Sequence, residues 1–362
     1  MLDDWIAPKL EDLGAREWLR VPFSFRDDIL DFASNDYLGL ARGSSHGRTG
    51  SGGSPHITGV RDCASSLVEE LSDFLKLDAG VVFTSGYGAN FGTIEALATL
   101  VDDVLSDELN HASIIDGCRL ARHKAVQVFK HGSLDSLGQM LAGLRGRRVL
   151  VVIESYYSMD ADSYDLQRVD ALVREHGSAI LMVDEAHAVG VFGGGRGLCS
   201  SSLVTPDILV CTFGKALGAS GAFVGGTRAL SSFLWNHCRP LIFSTGASPA
   251  SIDVVRANLA QLRSGELVEK LNENARFFRT ILAENGVRVL PASHGPIVPI
   301  QLADAVTAVA CRERLLSHKF LIGAVRPPTI PSGGRLRIVI HADHSHGDMN
   351  RLCMLLTKEM AV

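Results

Sequence analysis

The sequence predicts an α/β protein: a large domain on a mostly parallel sheet, then a smaller C-terminal α+β domain. Three observations carry this expectation. Short, nearly all-apolar runs rich in β-branched residues recur from Val81 onward, as strands buried on both faces of a parallel sheet require. Helix-length stretches separate those runs, and alternation of this kind makes a parallel sheet. After about residue 250 the texture changes to two long helical stretches, shorter strands and a last helix.

Taken in order, residues 1–45 form a mixed N-terminal segment that Trp5 and Trp18 are expected to dock onto the body. The large domain is expected over 46–249, with strands at 81–84, 149–153, 179–183 and 208–212. Helices are expected between them, at 92–101, 134–144 and 166–176. The small domain is expected over 250–362, opening with helices at 250–263 and 267–284 and closing with one at 347–358.

Composition excludes several classes. The 362 residues are 46% hydrophobic and 21% charged, so the chain can bury a core and is not disordered. A formal net charge of -5 offers no basic footprint, and no nucleic-acid partner is expected. No run of about 18 apolar residues occurs, so no membrane-spanning helix is expected. The first residues, MLDDWIAPKL, lack the layout of a secretory signal, and a cytoplasmic location is expected. Seven scattered cysteines without a CxxC pair read as reduced thiols; neither a disulfide framework nor a metal site is expected.

Three constellations could carry chemistry. Thr84-Ser85-Gly86-Tyr87-Gly88-Ala89-Asn90 joins a buried run to a helical stretch, and a glycine turn at a helix N-terminus can cradle a phosphate. Its spacing is GxGxxxG rather than GxGxxG, and no Walker A loop occurs, so neither a dinucleotide nor a nucleotide-hydrolysis motif is present. Asp184-Glu185-Ala186-His187 stands at the end of another buried run, where open α/β sheets place ligands. Without a Walker A loop, the DEAH string has no helicase context. Thr212-Phe213-Gly214-Lys215 leaves a third run, and a lysine there can be desolvated and form a Schiff base. Alone, these read as a tight turn, a capping Asp and a surface charge. Together they supply an anchor, a ring-nitrogen partner and a covalent tether, as pyridoxal 5'-phosphate (PLP) requires.

The chain resembles the α-oxoamine synthases, fold-type I PLP-dependent transferases, through seven motifs in order. These are Ser34-Asn35-Asp36-Tyr37-Leu38-Gly39-Leu40, Gly50-Ser51-Gly52-Gly53-Ser54, Asn110-His111-Ala112-Ser113 and Glu154-Ser155-Tyr156-Tyr157-Ser158-Met159-Asp160. Asp184-Glu185-Ala186-His187, Thr212-Phe213-Gly214-Lys215 and Gly334-Arg335-Leu336-Arg337-Ile338 complete the set. The resemblance implies that Lys215 holds PLP as a Schiff base and shuttles the substrate Cα proton. Asp184 would pair with the pyridine nitrogen, His187 and Ser158 with the phenolic oxygen, and His111 would stack on the ring and assist the carbonyl chemistry. Gly86, Tyr87 and Thr212 would bind the phosphate, joined by Ser244 and Thr245 from a neighbouring subunit, so a homodimer with shared active sites is implied.

On the substrate side the resemblance implies Asn35 and Arg337 at the amino-acid carboxylate, Ser54 beside the Cα and Thr329 near the acyl group. Arg335 and Arg337 share one face of an alternating strand, so periodicity does not choose between them. Two positions depart from the family pattern: Gly246-Ala247-Ser248-Pro249 stands where Pro-Pro is usual, and the acyl-side arginine is matched only by Arg20 or, alternatively, Arg16. The implied reaction is a decarboxylative condensation of an amino acid with an acyl thioester. L-alanine with pimeloyl-CoA, or its carrier-protein form, is the expected pair; glycine or serine with another acyl group is the alternative.

Overall fold

The computed structural model describes residues 15–16, 30–32, 37–38, 50–121 and 125–360. Trp5, Trp18, Arg20 and Asn35 lie outside the described residues. Eleven strands are described. They are β1 (Leu30–Phe32), β2 (Ala79–Phe83), β3 (Asp103–Asp107), β4 (Ala125–Phe129), β5 (Val149–Glu154), β6 (Ala179–Asp184), β7 (Ile208–Thr212), β8 (Ala222–Gly226), β9 (Ile297–Leu302), β10 (Phe320–Val325) and β11 (Gly334–Val339).

The chain divides into two compact units. The larger comprises Asn35–Tyr157 and Asp162–Leu271; the smaller takes Ser158–Ala161 and Asn272–Val362, with β1. The expected boundary at residue 250 is therefore displaced. The helix Pro249–Leu262 belongs with the larger unit because it packs on the helix Asp62–Leu75, where Arg256 meets Glu70 at 2.6 Å. A change of texture in the sequence marks where helices begin, not where a core ends.

The larger unit holds a seven-stranded sheet in the order β2-β8-β7-β6-β5-β3-β4. β5, β6 and β7 are central and almost wholly buried, which is why they read as unbroken apolar runs. Only β8 runs against its neighbours. Two antiparallel steps restore direction, so β2 ends at the same sheet edge as β3 through β7. The helix Gly86–Leu97 thus starts at that edge, six residues ahead of the expected start, because the Ser85 side chain caps it by accepting from the Gly88 N–H at 3.0 Å.

The smaller unit holds a four-stranded sheet in the order β1-β10-β11-β9. Its core gathers Phe278 and Leu282 from the long helix, Ile300, Phe320, Leu336 and Ile338 from the strands, and Leu352 from the last helix. Among the described residues, no helix is long and apolar enough to cross a membrane.

A charged cluster braces the edge of the large sheet that carries the loops. His131 lies between Asp107 (3.1 Å) and Asp162 (2.9 Å), and the Tyr164 hydroxyl donates to Asp107 at 2.5 Å. Burial alone would lower the His131 pKa, but hydrogen bonds to both carboxylates outweigh it and push it up to about 10. The folded pKa exceeds the unfolded value of about 6.5. The resulting stabilisation is complete below that value and is lost as pH rises through about 10. Replacing His131 by Gln should cost about 3 kcal/mol at pH 7, or roughly 6–12 °C in melting temperature for a unit of this size. Thermal melts of both proteins from pH 7 to 10 should show that gap narrowing as pH rises.

Candidate active site

Strand register builds the site. Glu154 and Asp184 are the last residues of β5 and β6 and are register partners, so their carboxyls leave the same face side by side. Both are 4% exposed. Asp184 accepts from Asn90 Nδ2 at 2.6 Å and from the Ala186 N–H at 2.8 Å. His187, three residues on, meets the Tyr37 hydroxyl through Nδ1 at 2.8 Å. Lys215 follows β7 in a loop closed by Phe213 N–H to Gly221 O (2.9 Å) and Gly218 N–H to Lys215 O (3.0 Å). Gly190, at φ 81°, lets that loop approach: a Cβ there would stand 2.2 Å from the Ala216 Cβ.

These side chains open onto one cavity of about 310 Å³, lined by Gly86, His111, Asp184, His187, Thr212 and Lys215 among others. At one end the helix Gly86–Leu97 begins. Its first N–H groups have no intrahelical acceptors, and the dipole adds positive potential there. A Cβ on Gly86 would stand 2.3 Å from Thr212 Cγ2, so only glycine lets the helix start this close to β7. Thr212 Oγ1 and Asn90 Oδ1 are buried without hydrogen-bond partners among the described residues.

His111 is held from two sides. Its N–H donates to Glu154 Oε1 at 2.6 Å, and its Nδ1 lies 2.7 Å from Ser113 Oγ, which also accepts from Asn90 Nδ2 at 3.0 Å. Burial lowers the His111 pKa and the Lys215 charge lowers it further, while Asp184 opposes both. Glu154 is pushed up to about 8 by burial and by the neighbouring Asp184 carboxylate. The two carboxyls differ in their donors: Asp184 has two, Glu154 one.

Other expected site residues gather elsewhere. Ser54, Ser244 and Thr245 do not line the cavity of their own chain. They belong to paired segments: Ser54 Oγ donates to Ile242 O at 2.7 Å, and the Gly246 N–H donates to Gly53 O at 2.9 Å. Ser158, Thr329 and Arg337 fall in the smaller unit, where Arg337 Nε donates to Ser158 O at 2.7 Å. Arg335, the other candidate arginine, meets Asp160 at 2.5 Å and Met159 O at 2.7 Å. Arg16 is exposed.

The chain matches the profile of the class I and II aminotransferases over residues 27–356. It belongs to that family. An 8-amino-7-oxononanoate synthase of Geobacter sulfurreducens is 39% identical over 360 residues, covering 94% of this chain and 91% of the relative. Serine palmitoyltransferase from S. paucimobilis, solved with a bound PLP–myriocin aldimine, is similar in structure at a TM-score of 0.89 and 27% identity. That likeness covers 99% of this chain and 97% of the other. An 8-amino-7-oxononanoate synthase from Francisella tularensis follows at a TM-score of 0.78 and 26% identity, covering 93% and 99%. Within the aminotransferases, the chain is thus an α-oxoamine synthase with the fold-type I architecture, and its family is PLP-dependent.

The cavity fits the family's cofactor. A helix start at Gly86 and Tyr87, whose N–H groups precede the first intrahelical acceptor, suits a phosphate, as does a Thr212 hydroxyl without a partner among the described residues. A buried carboxylate with two donors suits a protonated ring nitrogen.

The motifs did not single out Asn90, Tyr37 or Ser113. Their only sequence signal is membership of a motif whose other residues carry the chemistry. Asn90→Ala removes a hydrogen bond to a charged group, worth about 1.5–3 kcal/mol. PLP affinity of the apoenzyme, followed by quenching of protein fluorescence, should fall roughly 10–100-fold. An unchanged affinity would separate Asn90 from the cofactor.

Proposed function

We propose that this protein is an 8-amino-7-oxononanoate synthase of biotin biosynthesis, condensing L-alanine with a pimeloyl thioester of CoA or a carrier protein. One observation carries the reading: Lys215, Asp184, His187 and His111 converge on the cavity where the Gly86 helix begins. Relatives at 36–39% identity bear that name and support the product, and the substrate pair is the one the family resemblance implies. Serine use, as in the structurally similar palmitoyltransferase, is the second reading.

Bound PLP supplies an electron sink for the substrate Cα electron pair. Lys215 Nζ would hold the cofactor covalently and, once freed by the amino acid, remove the Cα proton and later return it. The Asp184 carboxylate, positioned by Asn90 and the Ala186 N–H, would pair with the ring nitrogen and keep it protonated. His187, fixed by Tyr37, would bind the phenolic oxygen with Ser158, and His111 would stand over the ring. Gly86, Tyr87 and Thr212 would hold the phosphate. Arg337, with Asn35, would grip the amino-acid carboxylate as a bidentate fork. Arg335 suits that task less because Asp160 already claims it. Ser54 would stand beside the alanine methyl, and Arg20 and Thr329 on the acyl side. In balance, alanine Cα bonds to the thioester carbonyl carbon, the C–S bond breaks to release thiol, and carbon dioxide leaves. A proton then restores Cα–H.

The same reading makes the working unit a cytoplasmic homodimer. Ser244 and Thr245 are assigned to phosphate binding, yet they sit with Ser54 away from their own cavity. Around them Ile57 is 87% exposed, Phe243 71% and Val60 50%, an apolar face of the kind subunits cover. A partner seated there would bring the segment to the other subunit's cavity.

Lys215→Ala should abolish both turnover and the visible absorbance of the purified holoenzyme, a loss beyond the roughly 10²–10⁴-fold of acid–base catalysis alone. A near-normal rate would overturn its role. For the dimer, a Lys215→Ala chain mixed with a Thr245→Val chain should regain activity, because one site then carries both lesions and the other neither. No recovery, with subunit exchange shown by mass spectrometry, would assign each site to a single chain.

A further inference from the structure

Among the buried titratable groups the mechanism leaves unused, Glu185 accepts the Cys199 N–H and His131 braces a sheet edge, both away from the cavity wall. Glu154 differs because it lines the cavity itself.

Its surroundings form a closed circuit. Asp184 accepts from Asn90, whose amide also donates to Ser113 Oγ; that hydroxyl lies 2.7 Å from His111 Nδ1. The His111 N–H returns to Glu154 Oε1, and Glu154 stands beside Asp184 in the sheet. A second tether, Asn110 Nδ2 to Val152 O at 2.8 Å, ties the same loop to β5. The imidazole is thus located from its ring side through Ser113 and from its main-chain side through Glu154. Cut the second hold, and the His111 main chain keeps its carbonyl bonds to the Ile114 and Ile115 N–H groups and the neighbouring Asn110 tether, but its own N–H loses the bond that fixes it to β5.

We propose that Glu154 is a positioning residue: its carboxyl clamps the main chain of His111 and so sets where the imidazole stands in the cavity. This rests on the synthase reading above. The clamp needs an acceptor oxygen, not a charge. Glu154 faces Asp184, Lys215 and Asp107 as well as the His111 N–H; burial first, and then the like charge of Asp184, favour its protonated form. A glutamine keeps both the reach and the acceptor.

The test compares Glu154→Gln, Glu154→Asp and Glu154→Ala as holoenzymes and apoenzymes. A catalytic group misplaced by about 1 Å can lose roughly 10²-fold in rate. Glu154→Ala and Glu154→Asp, which withdraw the acceptor, should lose about that much in kcat with little change in KM for alanine. Both should also move the His111 resonances in spectra of histidine-labelled apoenzyme. Glu154→Gln should retain the rate and the resonances, and should lose any step near pH 8 in the wild-type absorbance profile. If Glu154→Ala fails to fold, Glu154→Asp carries the comparison. A normal rate in Glu154→Asp, or a Glu154→Gln enzyme as impaired as Ala, would overturn the proposal. The apoenzyme spectra do not depend on substrate identity. A wild type that binds PLP but makes no oxononanoate would therefore refute the synthase reading while leaving the clamp tested.

Discussion

The in-register pairing of β5 with β6, continued by β6 with β7, is the constraint on which the site depends. It brings Glu154, Asp184 and Thr212 to one sheet edge without any side-chain interaction, since backbone hydrogen bonds alone set the spacing. A slip of one residue would turn Asp184 to the opposite face. The apolar runs of these strands are buried along nearly their whole length, so the pairing is held by the core itself. The chemistry inherits its precision from packing that never touches a substrate.

On that edge the site places charge with unequal support. Asp184 receives an amide and a backbone N–H. Glu154, equally buried, receives one donor and faces Asp184. Two carboxyls with different donor sets can serve two purposes, one as a counter-charge and one as an anchor.

Much of this was legible in the sequence, for a physical reason. β5, β6 and β7 are buried on both faces and so spell themselves as apolar runs, and the chemistry follows their ends. β3 was not legible, because Asp103, Ser106 and Asp107 interrupt its pattern although every residue in it is buried. β4 was not legible either, since it is an edge strand with Val126 and Val128 exposed. The division near Leu271 falls inside the helix Glu266–Glu284, where no composition shift marks it. Asp184, His187 and Lys215 could be read from strand ends, whereas Asn90 and Tyr37 reach the site from other segments. Such residues become visible only when the chain is folded.

The reversed strand β8 has a consequence for the order in which this protein can assemble. The glycine turn at Gly86 faces the cavity only because β2 is seated on β8, a partner made well over a hundred residues later. During synthesis the first half of the pocket therefore waits, its helix start and its sheet edge unjoined, until Gly226 has left the ribosome. Contacts this distant in sequence form slowly. The pocket is thus a late product of folding, and a nascent chain truncated before β8 would hold most of the catalytic residues yet have nowhere to seat a phosphate.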